Sequence, residues 1–253
     1  MSRSADIEKA IRSADGPALC AYLMAGYPSV ESFPDILARV AEVADVVEVG
    51  VPFTDPIADG RTIQEAGFSA LGSGVTLSSI FDLLEEVGPG LAAPYLLMGY
   101  YNPFLAGGLD RLAERLEKSG VSGLIVPDLT PEESGAMDEV VSSDGVALVR
   151  LVTPATPLER MRVLGESTSG FLYAVTTTGI TGGDLALPAD LLAYLDRARE
   201  STSRPLMAGF GVRSRSQVEA LADHVDGVII GSALVEAITT GSDPAEFLAG
   251  LRP

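Results

Sequence analysis

Short apolar runs alternate with longer amphipathic stretches from end to end, and this alternation restricts the fold more than any other feature of the chain. The runs are Ala18–Ala25, Val46–Val51, Pro94–Tyr101, Gly123–Val126, Val146–Val152, Gly170–Thr176, Pro205–Gly209 and Gly227–Ile230. Eight runs in 253 residues give about 32 residues per unit, the size of a βα repeat. Their apolar character is continuous rather than alternating, which marks strands buried on both faces, as in parallel sheets. Helix punctuation fits between them. Pro34 can open a helix reaching Val43, and Gly120 can close one that starts near Leu109. Ser242-Asp243-Pro244-Ala245-Glu246 joins a cap, a first-turn proline and an acid ahead of the last helix.

The expectation is therefore α/β: a (β/α)8 TIM barrel forming one domain over residues 1–253. Ser4–Ser13 reads as an extra helix closing the bottom, and Gly231-Ser232 opens an extra short helix after strand eight. An open doubly wound sheet generally carries a phosphate loop after its first strand; here Ala25-Gly26-Tyr27-Pro28 follows it. In barrels, function gathers on the loops after the strand C-termini.

Charge and rare residues narrow the chemistry. Seventeen Lys and Arg against 35 Asp and Glu leave a formal charge of −18, which repels phosphate backbones and anionic lipid. The apolar runs fall short of the ~20 residues a membrane span needs, and the first residues lack a secretory h-region. A single cysteine, Cys20, fits a reducing compartment, so a cytoplasmic protein is expected. Its mid-strand setting reads as a small core hydrophobe. One histidine, His224, excludes His-rich metal sites and reads as a helix-to-strand turn residue. The lysines are Lys9 and Lys118, and neither ends a strand, which disfavours Schiff-base chemistry. Catalysis must lean on carboxylates, hydroxyls and backbone.

Four loops carry what remains. Glu48 interrupts an apolar strand, so its carboxylate is either desolvated with a raised pKa, paired with a cation, or solvated at a strand end. Few cations are placed to pair with it. Asp59 follows eleven residues later on a long proline-bearing loop and could face the same ligand. The loop Thr176–Asp184, with three glycines and four threonines, reads as a mobile lid. Gly209-Phe210-Gly211 and Gly231-Ser232 follow strands seven and eight, where barrels commonly seat phosphate.

The segment Glu48-Val49-Gly50-Val51-Pro52-Phe53-Thr54-Asp55-Pro56-Ile57-Ala58-Asp59-Gly60, followed by Thr62-Ile63-Gln64, closely resembles the signature of the tryptophan synthase α-subunit family. So do Ala25-Gly26-Tyr27-Pro28, Tyr100-Tyr101-Asn102-Pro103, Pro127-Asp128-Leu129, Thr181-Gly182, Gly209-Phe210-Gly211 and Gly231-Ser232-Ala233, in order along nearly the whole chain. The resemblance implies a cytoplasmic barrel lyase that cleaves indole-3-glycerol phosphate to indole and glyceraldehyde 3-phosphate. It implies no cofactor in this chain, no metal, and a pyridoxal-phosphate-dependent β subunit as partner, in an α2β2 assembly. It implies Glu48 as general acid/base and Asp59 as the carboxylate that accepts the indole N–H. Tyr22, Met98, Ile125, Leu151 and Phe210 would form the indole slot, with Tyr173 beside it and Thr181 hydrogen-bonding the aspartate from the lid. Backbone at Gly182, Gly211, Gly231 and Ser232 would hold the phosphate.

Three positions depart from the family pattern: Arg61 and Thr130 stand where proline is usual, and Thr176-Thr177 replaces a Ser-Arg pair. They bear on the lid and on the partner more than on proton transfer. Two other functions share most of these residues, a stand-alone indole-releasing lyase and a catalytically idle scaffold that activates a partner. Retention of Glu48 and Asp59 argues against the scaffold.

Overall fold

The computed structural model describes residues 2–143, 145–176, 187–209 and 211–253. Eight parallel strands close into a barrel in chain order: β1 (Ala18–Met24), β2 (Val46–Gly50), β3 (Tyr95–Met98), β4 (Gly123–Ile125), β5 (Ala147–Val152), β6 (Leu172–Val175), β7 (Leu206–Gly209) and β8 (Gly227–Ile230). Each lies inside one of the apolar runs. Strand β8 pairs back onto β1, with Cys20 opposite Ile229, so no sheet edge remains.

Around the barrel run α1 (Arg3–Ser13), α2 (Phe33–Ala41), α3 (Arg61–Gly72), α4 (Leu77–Val87), α5 (Tyr101–Ala106), α6 (Leu109–Ser119) and α7 (Gly135–Ser143). They continue with α8 (Leu158–Ser167), α9 (Ala189–Glu200), α10 (Arg215–Leu221), α11 (Ser232–Thr239) and α12 (Pro244–Ala249). Local chemistry sets several ends. Gly120, at φ +70°, closes α6 in the left-handed conformation where a side chain would strain. Asp243 caps α12 by accepting from the N–H groups of Ala245 and Glu246 at 2.9 and 3.1 Å, with Pro244 in the first turn. Helix α2 starts at Phe33, one residue ahead of the expected proline, and stops at Ala41. His224 sits in the turn before β8 and meets Asp196 at 3.1 Å.

Two apolar regions follow from the strand alternation. Outward-facing residues such as Leu23, Val49, Leu97 and Leu124 pack against the helices. Inward-facing residues such as Cys20, Val46, Leu96, Ile125 and Met207 fill the barrel itself. Ile7 and Ile11 of α1 join that interior cluster, which makes α1 the plug of the barrel bottom. Arg150 faces outward from β5 and is buried, with its guanidinium on Ser134 Oγ at 2.7 Å and Asp138 Oδ1 at 2.9 Å. No single helix among the described residues is long and apolar enough to cross a membrane.

Candidate active site

The inner face of the barrel turns polar near the strand C-termini. Glu48, the middle residue of β2, is fully buried at 0% exposure. Burial drives its pKa up from the usual carboxylate value to about 8. Among the described residues the one hydrogen bond to its carboxyl comes from the Cys20 thiol, Sγ to Oε1 at 3.5 Å, and Oε2 has no partner there. Of the three environments open to this carboxylate from sequence, the desolvated one is found. No cation among the described residues pairs with it, and at 0% exposure it is not solvated at a strand end.

Two tyrosines flank it. Tyr22 on β1 lies directly across from Glu48 in the strand register, and Tyr173 on β6 enters from the far side. Each ring needs a glycine on the neighbouring strand. A Cβ at Gly50 would collide with the Tyr22 ring, and one at Gly209 with the Tyr173 ring. Both phenol groups are buried, and both pKa values are pushed well up, first by burial and then by the nearby carboxylates.

Asp59 reaches the same space from the loop between β2 and α3. Short-range contacts shape that loop: Asp59 N–H donates to Pro56 O at 3.1 Å, and Gln64 Nε2 donates to the carbonyls of Pro56 and Asp59 at 3.1 and 3.0 Å. Phe53 stacks on Tyr100 with ring centroids 5.1 Å apart, and Ala58 N–H donates to Tyr100 Oη at 2.8 Å. Partial burial raises the Asp59 pKa to about 6. Ile57, at the loop tip, is 88% exposed.

The two carboxyls line one cleft of about 280 Å³. Tyr22, Met98, Tyr173 and Ile229 give it an apolar floor. Gly211, Gly231 and Ser232 line it as well, from the loops after β7 and β8. Gly211 has φ +89°, a conformation that favours glycine, and Ser232 begins α11, whose first N–H groups have no intrahelical acceptor. Arg213 also lines the cleft, and its guanidinium grips Glu236 with two contacts of 2.5 and 2.9 Å. Thr62 Oγ1 donates to the same Glu236 at 3.2 Å, so one carboxylate ties together the start of α3, α11 and the loop after β7.

Of the residues expected from sequence, Glu48, Asp59, Tyr22, Met98, Tyr173, Gly211, Gly231 and Ser232 come together here. Ile125 is fully buried in the barrel interior and Leu151 packs against that cluster; neither lines the cleft. Thr181, Gly182 and Phe210 lie outside the described residues, as does the expected lid from residue 177 to 184. Thr176, where the expected lid Thr176–Asp184 begins, is described and buried, and its N–H donates to Gly209 O at 2.8 Å. Sequence reasoning missed Ile63, Ile229 and Arg213 as lining residues. Ile229 could have been found, since it is inward-facing one residue from the end of β8. Ser214 is the N-cap of α10 in a reciprocal box with Gln217, a cap that the Ser-x-x-Gln spacing signals. Arg61 lines the cleft rim, where it forms an exposed i,i+4 pair with Glu65 at 2.7 Å.

Comparison with known proteins agrees with this architecture. The family model described as "Tryptophan synthase alpha chain" matches residues 9–249. A tryptophan synthase alpha chain from Roseiflexus castenholzii is 43% identical over 254 residues, covering 98% of this chain and 96% of that one. One from Picosynechococcus is 38% identical over 246 residues, covering 96% and 93%. Among solved structures, tryptophan synthase from M. tuberculosis in its aminoacrylate-bound form superposes with a TM-score of 0.86 at 32% identity, covering all of both chains. The alpha subunit from Legionella pneumophila gives 0.87 at 30%, covering 100% and 97%. The chain therefore belongs to the tryptophan synthase α-chain family, whose members cleave indole-3-glycerol phosphate and need no cofactor of their own.

Proposed function

We propose that Glu48 and Asp59 carry the cleavage of indole-3-glycerol phosphate in this chain, Glu48 as the acid and base and Asp59 as the electrostatic partner of the indole nitrogen. The observation that supports this most is the split between two carboxyls lining one cleft. At neutral pH a carboxyl with pKa about 8 holds its proton, and one with pKa about 6 has mostly lost it.

The reaction then balances without any other group. Glu48 donates its proton to the indole ring carbon that bears the glycerol chain. Positive charge spreads to the ring nitrogen, where the Asp59 carboxylate accepts the N–H and stabilises that charge. The carbon–carbon bond breaks, and its electron pair restores the aromatic ring. The glycerol hydroxyl yields its proton to Glu48 as the aldehyde forms, which returns Glu48 to its starting state. Tyr22, Met98 and Phe210 form the apolar slot, with Ile125 and Leu151 packed in the barrel interior rather than lining it; Tyr173 stands beside it, and Thr181 holds Asp59 from the lid. The phosphate sits on backbone N–H groups at Gly182, Gly211, Gly231 and Ser232, at a helix start suited to an anion.

The family functions with a β subunit. We place its docking face on the loop from Pro52 to Gly60 together with the lid, the side from which indole leaves, in a cytoplasmic α2β2 assembly that passes indole onward. Ile57 on that loop, 88% exposed, offers an aliphatic side chain for that contact. The decisive experiment incubates the purified chain with indole-3-glycerol phosphate, alone and with a β subunit, and follows indole. Slow release alone and at least tenfold faster release in the mixture, a coupling of about 1.4 kcal/mol, is expected. Fast release unaffected by any β subunit identifies a stand-alone lyase. No release in either condition identifies an idle scaffold.

A further inference from the structure

Among the described residues, the hydrogen bond to the Glu48 carboxyl comes from β1. In the barrel interior, β1 places Cys20 and Tyr22 beside it, with Tyr22 directly across in the register and Cys20 two residues earlier. The other inward neighbours are apolar: Leu96 and Met98 on β3, Ile125 on β4 and Ile229 on β8. Among the described residues, the titratable groups that face Glu48 are Cys20 and Tyr22 from β1, Tyr173 from β6 and Asp59 from the loop after β2, and none of these is a cation. Of these, Cys20 is in contact, with Sγ at 3.5 Å from Oε1 and both residues at 0% exposure. Oε2 is buried without a hydrogen-bond partner among the described residues.

We propose that Cys20 is a positioning residue for the Glu48 carboxyl: its S–H holds Oε1 and thereby leaves Oε2 as the oxygen that exchanges protons with the substrate. A buried carboxyl with two equivalent free oxygens can rotate about its last torsion, which is a soft one. Tethering one oxygen selects a rotamer, and a proton-transfer group is useful only within hydrogen-bond reach of its target. The thiol is a weak donor, but in an apolar interior even a weak hydrogen bond counts for more than it does in water. Burial and the neighbouring carboxylates push the Cys20 pKa well up, so the thiol keeps its hydrogen and acts as donor. Its hydrogen bond also favours the ionised carboxylate, which opposes the upward push of burial on Glu48. Sequence alone presented Cys20 as an inert core residue; the strand register gives it a polar partner.

This inference rests on Glu48 being the proton-transfer group, so the test includes Glu48→Gln. Indole release is measured as a function of pH for the parent chain, Cys20→Ala, Cys20→Val and Cys20→Ser, each with the same β subunit. Because Glu48 must start protonated, activity falls on the alkaline side as it ionises. Losing the donor in the Ala and Val variants moves that limb to higher pH by about half a unit to one unit. It also lowers kcat about threefold to tenfold with little change in KM. Serine, which restores a donor at nearly the same size, returns the limb to the parent position or below it. The Val variant fills the site, so a loss of packing in Ala does not decide the result. The proposal is overturned if all three variants keep the parent limb, or if serine fails to restore it, while Glu48→Gln abolishes turnover. If Glu48→Gln itself keeps turnover and the limb, the assignment of Glu48 fails first and takes this inference with it.

Discussion

Ala58 N–H donates to Tyr100 Oη at 2.8 Å, which fastens the backbone next to Asp59 to the loop that follows β3. Phe53, from the same loop as Asp59, stacks on the Tyr100 ring, so the tyrosine holds the loop by its edge and by its face. Tyr100→Phe keeps the stacking and removes the hydrogen bond. A neutral hydrogen bond of this kind contributes about 0.5–1.5 kcal/mol, so a twofold to tenfold loss in kcat/KM is expected, with Tm lowered by no more than a few degrees. Steady-state indole release beside a thermal melt checks it. A variant equal to the parent in both would show that the loop holds Asp59 in place without Tyr100.

Replacing either carboxyl should separate activity from folding. Glu48→Gln removes the transferable proton at constant shape, and a loss on the order of 10²-fold or more in kcat is expected. Asp59→Asn replaces a charge with a dipole where the indole nitrogen turns positive, and should also be severely impaired. Circular dichroism confirms that each variant is folded. Near-parental indole release by either one removes that residue from the mechanism.

Glu48 also makes stability depend on pH in a definite direction. Its folded pKa, about 8, lies above the unfolded value of 4.5. The stability attached to this carboxyl is therefore fully present below pH 4.5 and is lost as pH rises towards 8. Glu48→Gln does not titrate. Its stability relative to the parent should rise by about 3–4 kcal/mol between pH 5 and pH 8. Denaturant unfolding of both proteins at the two pH values measures this, and a gap independent of pH would mean that Glu48 titrates normally.

At the phosphate end, Gly231 is a cleaner probe than Gly211. A side chain at Gly211 is strained by its φ of +89°, whereas among the described residues a Cβ at Gly231 meets only the Tyr22 Cβ, at an ordinary 3.8 Å. Gly231→Val should therefore fold, yet intrude where the phosphate would sit and raise KM for indole-3-glycerol phosphate about tenfold or more, the effect of roughly 1.4 kcal/mol. Free indole, titrated by fluorescence or calorimetry, should bind almost as it does to the parent. Equal weakening of both ligands would show that the substitution acted on the cleft as a whole.

Much of this was readable from local pattern. All eight strands fall inside the apolar runs, because a parallel strand buried on both faces needs apolar side chains on both. The barrel-bottom helix, the Gly120 stop and the Asp243 cap were legible, since helix ends are decided by residues within a turn of themselves. Glu48 stood out because an acid inside an apolar strand has few affordable environments. Thr181, Gly182 and Phe210 were proposed from the family pattern, and nothing in the described residues bears on them.

What the sequence by itself determined is thus the set of elements, their order, their buried faces and the two carboxyls at the mouth. Tertiary structure decided who meets whom. The register of β1 against β2 puts the Cys20 thiol on Glu48 rather than leaving it in plain core. Closure of β8 onto β1 brings Ile229 and Gly231 into the same cleft as Tyr22, about 200 residues away in the chain. Arg213, Glu236 and Thr62 come from three separate loops and helices and meet in a single cluster. Periodicity fixes which way a side chain faces along its own strand or helix. Only barrel closure, which sets the stagger of every strand against the next, fixes its height and its neighbours on another strand.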